Sequence, residues 1–302
     1  MTILSKSRGG NRTDCVVTAL SRLFSPGVFR ELAKLGHSPI GAGVVRESGL
    51  FPKVEQSLRA YLGEAFRIVS EEMRSEYVFK NAIAEQILLK KHSLRSAAML
   101  TEFRVGSNKA DAVVINGTST VYEIKSERDS LGRLESQLDA YLRVFDKVVV
   151  AADECHRREL LDLLPRDVGL VILPKAPPAS FTSVREPRSD WNRLEPALMF
   201  ESLQRTEYLS ILSDVAGWES SEIPNGIIHG LARLEFAKLP VQVAHENFVR
   251  MLRKRADHQT DASFIRRVPK ALKGLAVSIS LPPHEQQRVL DALWQPAGLA
   301  LA

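Results

Sequence analysis

The chain has 302 residues, 44% of them hydrophobic and 25% charged, with a formal net charge of +5 and a pI near 9.2. Those values describe an ordinary globular chain with room for two domains or one large one, and they exclude a disordered or fibrous class. Two cysteines, Cys15 and Cys155, give neither a disulfide framework nor a Cys/His zinc spacing, and no run reaches the ~20 apolar residues of a membrane span.

Residues 1–12 are polar and read as frayed. Asp14 opens a helix through Phe24, striped by Val16, Val17, Leu20 and Leu23. Val28 to Leu35 forms a second helix closed by Gly36, a Gly-rich loop covers His37 to Gly49, and Pro52 opens a helix through Leu62. Residues 71–92 read as a longer helix carrying Lys80, Asn81 and Glu85. The first strand is Leu100 to Val105, with Glu102 and Arg104 on one face.

Ala112–Ile115 and Thr120–Ile124 are β-rich runs on either side of Asn116-Gly117, the strongest short-range hairpin signal a sequence carries. A three-residue loop of Asn116, Gly117 and Thr118 sets Asp111 opposite Glu123, whereas a two-residue loop makes them diagonal neighbours. Strand alternation puts Asp111, Val113 and Ile115 on one face, and Val121, Glu123 and Lys125 on one face. If the faces coincide, two carboxylates and an ammonium converge. Adjacent carboxylates repel, and a hard divalent cation removes that conflict while holding water and a phosphate oxygen. Ordinary cross-strand ion pairs are the plain alternative, but Glu123 lies between Tyr122 and Ile124 in a run that reads as buried.

Beyond the hairpin, Ser126–Arg133 is a charged loop. Leu131 to Phe145 is an amphipathic helix with Leu134, Leu138, Tyr141, Leu142 and Phe145 on one stripe, and Gln137 sits four residues before Tyr141. Val148–Ala151 reads as a central parallel strand, Glu154–Leu164 as a helix and Val168–Leu173 as a last strand. Pro174, Pro177, Pro178 and Pro187 mark a linker over residues 175–190. Helices are then expected at 191–204, 205–216, 227–237, 241–256, 261–279 and 284–294. Residues 240–273 hold eight basic residues (Arg250, Arg253, Lys254, Arg255, Arg266, Arg267, Lys270, Lys273) against three acids (Glu246, Asp257, Asp261). That cluster reads equally as a phosphate-tracking surface or as solvated helix faces. His229, His245, His258 and His284 lack metal-ligand spacing.

Asp111, then Glu123-Ile124-Lys125, resembles the D-x(n)-(D/E)-x-K signature of the PD-(D/E)xK nuclease superfamily, and Gln137-Leu-Asp-Ala-Tyr141 resembles the Q-x-x-x-Y helix of its RecB-like members. The resemblance covers residues 78–173. Runs such as Phe79-Lys-Asn-Ala-Ile, Thr101-Glu-Phe-Arg and Tyr122-Glu-Ile-Lys-Ser are similar to a group of bacterial proteins with this nuclease-like core. The superfamily's first acid usually follows a Pro or an apolar residue; here it follows Ala110.

The resemblance implies a restriction-endonuclease-like α/β fold, a mixed central sheet flanked by helices. Residues 1–70 form a helical N-terminal region, 71–174 the core, 175–190 the linker and 191–302 a helical C-terminal domain. It implies metal-dependent hydrolysis of phosphodiesters in DNA, in bacterial DNA processing or defence against foreign DNA. Asp111 and Glu123 would ligate Mg²⁺ or Mn²⁺ with the carbonyl of Ile124 and with Glu102, which competes with Glu85 for the part of third acid. Lys125 would position or activate water, and Gln137 and Tyr141 would support the metal site. Lys109, Arg128 and Arg133 are candidate phosphate contacts, since Arg pairs bidentately with phosphate oxygens. Rival readings are a catalytically idle nuclease-like module that binds nucleic acid or protein, and a helical interaction protein whose α/β part is scaffold. The expected location is the cytoplasm, with nucleic acid as partner, no membrane, and a protein partner or homo-oligomer left open.

Overall fold

The computed structural model describes residues 10–90, 97–174, 180–257 and 262–302. Helices α1 (Gly10–Ser21), α2 (Pro26–Leu35), α3 (Pro39–Ser48), α4 (Leu58–Glu72) and α5 (Glu76–Ala82) come first, and α5 runs on into a π-helical segment, Ile83–Leu89. Strands β1 (Ala98–Val105), β2 (Asn108–Ile115) and β3 (Ser119–Lys125) follow, then α6 (Leu134–Leu142), β4 (Lys147–Asp153), α7 (Arg157–Leu163), β5 (Gly169–Leu173) and β6 (Thr182–Arg185). The remainder is helical: α8 (Pro196–Glu201), α9 (Arg205–Ala216), α10 (Asn225–Ala237), α11 (Val241–Asp257), α12 (Ala262–Arg267), α13 (Lys273–Ser278), α14 (Pro283–Ala292) and α15 (Ala297–Ala300).

The strands form one mixed sheet in the order β1-β2-β3-β4-β5-β6. The pairs β1/β2, β2/β3 and β5/β6 are antiparallel, while β3/β4 and β4/β5 are parallel. The chain is therefore mixed α/β with helical regions before and after the sheet, as expected. The β2–β3 turn has the three-residue loop: Ile115 pairs with Ser119, and Gly117 takes φ +88°, where a side chain would be strained. The parallel strands read as nearly continuous apolar runs because residues pointing to both faces are buried.

The chain divides into two compact units, residues 1–85 with 259–302, and residues 86–258. This differs from the expected division. Helices α8–α11 belong to the sheet's own unit: Phe200, Tyr208, Phe236 and Phe248 share a core with Phe103, Tyr141 and Phe145. The ring of Phe145 lies 5.8 Å from Phe103 and 6.1 Å from Phe248. The last helices instead close on the first ones. The amides of Leu58 and Arg59 donate to the carbonyls of Gln295 and Leu293, each at 2.9 Å.

Four local expectations are corrected. The supposed loop 37–49 is α3: Ser38 caps it, Pro39 starts it, and the approach of Leu301 requires Gly41, where a Cβ would lie 2.6 Å from Leu301 Cδ2. The helix placed at Pro52 begins at Leu58, where the Ser57 side chain caps it. The single helix over 71–92 is broken between α4 and α5. The linker contains β6, an edge strand on β5. The expectations that fall on residues 1–9, 91–92, 175–179, His258 and Asp261 lie outside the described residues.

Candidate functional site

The register of the sheet brings three acids to one level. The β2/β3 ladder ends at Ala112 opposite Tyr122, the alignment in which Asp111 faces Glu123. The β1/β2 ladder pairs Thr101 with Ala112 and Phe103 with Ala110, and skips the position where Glu102 faces Asp111. There Glu102 has φ +55°, making it the sole non-glycine residue of positive φ among those described. Such a backbone costs on the order of 1–3 kcal/mol and persists only where the surroundings enforce it. Glu102 and Asp111 each bring a carboxylate oxygen within 4.8 Å of the other. Asp111 Oδ2 also accepts from the backbone N–H of Ile124 at 2.7 Å, which ties the acid to the middle of the ExK segment.

Glu123 is held differently. Its Oε1 takes Lys125 Nζ at 2.9 Å, and its Oε2 accepts from the Tyr141 hydroxyl at 3.0 Å. Lys125 Nζ also donates to Gln137 Oε1 at 3.0 Å. Glu123 is 3% exposed and Lys125 6% exposed, and with buried Tyr141 and half-buried Gln137 they form one continuous polar network. The spacing that sequence sets for α6 causes this: Gln137 and Tyr141 lie one turn apart on one face and reach both ends of the Glu123–Lys125 pair. Burial raises the Tyr141 hydroxyl well above its ordinary pKa, and the negative charge of Glu123, its hydrogen bond and the charge of Asp111 raise it further; the Gln137 bond acts in the opposite direction. The hydroxyl therefore stays protonated and donates.

Just past Lys125 the chain is clamped by residues the sequence reading did not single out. Asp129 Oδ2 accepts from the Ser126 amide at 2.8 Å and from its hydroxyl at 2.6 Å, and His156 Nε2 lies 2.8 Å from its carbonyl oxygen. The Ser126-x-x-Asp129 spacing was the available signal, because Asp readily bonds nearby backbone in a turn.

The other expected residues are distributed as follows. Lys109 is exposed and ion-paired with Glu102 across β1 and β2. Arg128 is exposed on the loop after β3, and Arg133 is exposed at the start of α6, where its carbonyl accepts from Gln137 N at 3.1 Å. Glu85 belongs to the other unit and pairs with Lys270 at 3.4 Å. Asn81 lies there too, buried, with Oδ1 accepting from Gly274 N at 2.8 Å, so its part is to tie α5 to α13. The basic cluster of 240–273 is divided between the units: Arg250–Arg255 lie on α11 in the sheet unit, Arg266–Lys273 in the other. Arg255 there grips Glu207, and Arg250 reaches Asp214 at 2.8 Å. Lys273 turns onto backbone carbonyls, and burial lowers its pKa.

The grouped donors at Glu102 and Asp111 are carboxylate oxygens, a donor type that suits a hard divalent cation such as Mg²⁺ or Mn²⁺ and not a soft metal. Both oxygens of Glu123 are held by Lys125 and Tyr141. No described helix is long and apolar enough to cross a membrane.

The chain is 27% identical over 199 residues to Protein cII of Enterobacteria phage P4, a match spanning 65% of this chain and 73% of that protein. A solved structure of a protein of unknown function from Silicibacter pomeroyi aligns at 23% identity, covering 48% of this chain and 94% of that one, with a TM-score of 0.31. The family model described as Bacteriophage P4 protein cII matches residues 69–276, which include the sheet and its acids, and the chain belongs to that family.

Proposed function

We propose that the protein is a metal-dependent phosphodiesterase with a restriction-endonuclease-like core, acting on DNA. The observation that carries this reading is the Gln137–Lys125–Glu123–Tyr141 network beside Asp111. Side chains of these types, at the end of a hairpin strand and on the helix after it, match the roles expected of a D…ExK site with a supporting Q-x-x-x-Y helix. Asp111, Glu123, the carbonyl of Ile124 and Glu102 would hold Mg²⁺ or Mn²⁺. When bound, the ion would neutralise the clustered acids, polarise the phosphodiester and acidify a water.

The chain's own residues do the rest. An ammonium has three N–H donors, and Lys125 spends two on Glu123 and Gln137. The third is aimed by those two and serves to orient the attacking water or to steady charge on phosphorus. Tyr141, held protonated, keeps the Glu123 carboxylate in one rotamer. Asp129 and His156 fix the chain immediately after Lys125, so the ammonium sits on a rigid strand end. Arg128 and Arg133, exposed beyond that end, supply phosphate contacts. The setting, processing of bacterial DNA or defence against foreign DNA inside the cell, rests on the nuclease resemblance alone.

One observation favours a second reading, an idle module that binds nucleic acid or protein. Glu123 and Lys125 already satisfy each other without an ion. Calorimetric titration with Mn²⁺ and Mg²⁺ separates the two. The nuclease reading predicts heat that disappears in Asp111→Asn and Glu123→Ala; the idle reading predicts none in the wild type.

A further inference from the structure

In the unit of residues 1–85 and 259–302, Trp294 follows α14 and is 72% exposed. The Arg59 guanidinium lies over its ring, 5.5 Å from the centroid, and the rest of the indole faces solvent. Arg59 is anchored there: its amide donates to the Leu293 carbonyl at 2.9 Å and its Nη1 to the Arg267 carbonyl at 3.0 Å, which ties α4, α12 and the end of α14 together at the indole. Arg267 is exposed, and with Ser263, Gln286 and Gln287 it gives the polar part of the lining of a cavity of about 110 Å³. Gln287 and Trp294 are two helical turns apart, about 10 Å. The helical path continues to the indole, since Trp294 N donates to the Asp291 carbonyl at 3.1 Å. Residues 262–302 hold five basic residues (Arg266, Arg267, Lys270, Lys273, Arg288) against two acids, Glu285 and Asp291. Lys270 pairs with Glu85 and Lys273 turns onto backbone carbonyls, while Gln287 Nε2 donates to Asp291 at 2.7 Å. Arg266 and Arg267, which end the helix that Arg59 holds, are both exposed.

We propose that this surface binds a single-stranded nucleic acid, with Trp294 stacked on an unpaired base and Arg267 taking a backbone phosphate at the cavity. An exposed indole backed by a guanidinium is a stacking platform that accepts any base, because every base has a flat π-face. A duplex hides those faces between its own base pairs, so the platform selects a single strand. The cavity supplies the other half of the contact. Its guanidinium, amide and hydroxyl groups are hydrogen-bond donors, and its volume has room for one phosphate group. Base and phosphate contacts two helical turns apart fall within one short stretch of strand. A protein partner is the other reading of an exposed indole; the excess of positive charge and the phosphate-sized polar cavity favour a strand. None of these residues belongs to the proposed catalytic site, so the contact stands or falls separately from cleavage.

The test is fluorescence anisotropy of labelled oligo-dT with the full chain in EDTA, where metal-dependent hydrolysis does not proceed. An oligomer of about 20 nucleotides exceeds the ~4–16 that one single-strand module covers. Trp294→Ala is expected to weaken binding about 5- to 150-fold, the contribution of one stacked base, and Trp294→Phe to restore most of it. Arg267→Ala is expected to reduce the slope of log affinity against log salt by about 0.7, one phosphate contact on a single strand. A second measurement does not rely on affinity: oligo-dT is expected to quench tryptophan emission in the wild type and less in Trp294→Phe. A chain that cuts no DNA but binds oligo-dT through Trp294 upholds this contact while the catalytic reading fails. A chain that cuts DNA but binds oligo-dT equally in wild type and Trp294→Ala overturns this contact alone. It is also overturned if the wild type binds no oligo-dT, if a blunt duplex of the same length binds more tightly, or if poly-glutamate at equal charge displaces the strand.

Discussion

The Lys125 ammonium and the Glu123 carboxylate, two positions apart on β3, meet at 2.9 Å with both side chains almost wholly shielded from water. Charges buried this way are stable only as a pair. Removing one partner costs about 3–5 kcal/mol, because the other is left uncompensated. Lys125→Met is therefore expected to lose that much in urea unfolding. The double variant Lys125→Met/Glu123→Gln is expected to recover most of it, since neither charge remains.

Tyr141 contributes ring and hydroxyl separately. Tyr141→Phe keeps the buried ring and removes the 3.0 Å bond to Glu123, a loss of about 1.5–3 kcal/mol for a hydrogen bond to a charged group. Tyr141→Ala opens a cavity as well and costs about 3–5 kcal/mol. Equal losses in the two variants would show that the hydroxyl alone matters.

The clamp on Ser126 predicts an effect on chemistry beyond its effect on stability. Asp129→Ala leaves the Ser126 amide and hydroxyl without their acceptor, costing roughly 1–3 kcal/mol by the usual penalty for an orphaned donor. Under the proposed function kcat falls further than thermal stability suggests, and Asp129→Asn restores part of it. Steady-state kinetics beside a melting curve makes the comparison.

His245 gives the fold a pH dependence. It is buried, 2.9 Å from Ser119 Oγ, with the Trp191 ring beside it; Asp146 and Glu246 are the acids that act on it. Burial lowers its pKa below the ordinary 6.5, against the opposing pull of those two acids. The unfolded chain then binds the extra proton more readily, so His245 stabilises the fold at neutral pH and loses that contribution as pH falls from 6.5 through its lowered folded value. The melting temperature should drop over that window in the wild type and drop less in His245→Gln.

Much of the sheet was legible in the sequence because its signals are local. The Asn116-Gly117 turn, the alternation on its flanks and the apolar runs of β4 and β5 need no distant contact to be read. Gln137 and Tyr141 were legible for the same reason, lying one helical turn apart. What escaped reading depends on partners far along the chain. The segment that forms α3 looks like a Gly-rich loop until Leu301 packs on Gly41. β6 looks like linker until β5 pairs with it. The division into units joins the first helices to the last across the whole sequence. At the site, the faces of β2 and β3 could be read, but the placing of Glu102 could not, because its positive φ interrupts the alternation a strand normally obeys.

The most direct test of the account is DNA cleavage by the full chain and by Lys125→Ala. Supercoiled, linear, single-stranded and branched DNA are each incubated with Mg²⁺ or Mn²⁺, and with EDTA as control. The account predicts ion-dependent cleavage of at least one substrate by the wild type. It predicts a loss of about 10²-fold or more in Lys125→Ala, the scale of removing one preorganised donor from a reacting centre. Cleavage that persists unchanged in Lys125→Ala, or no cleavage of any substrate by the wild type, would contradict it.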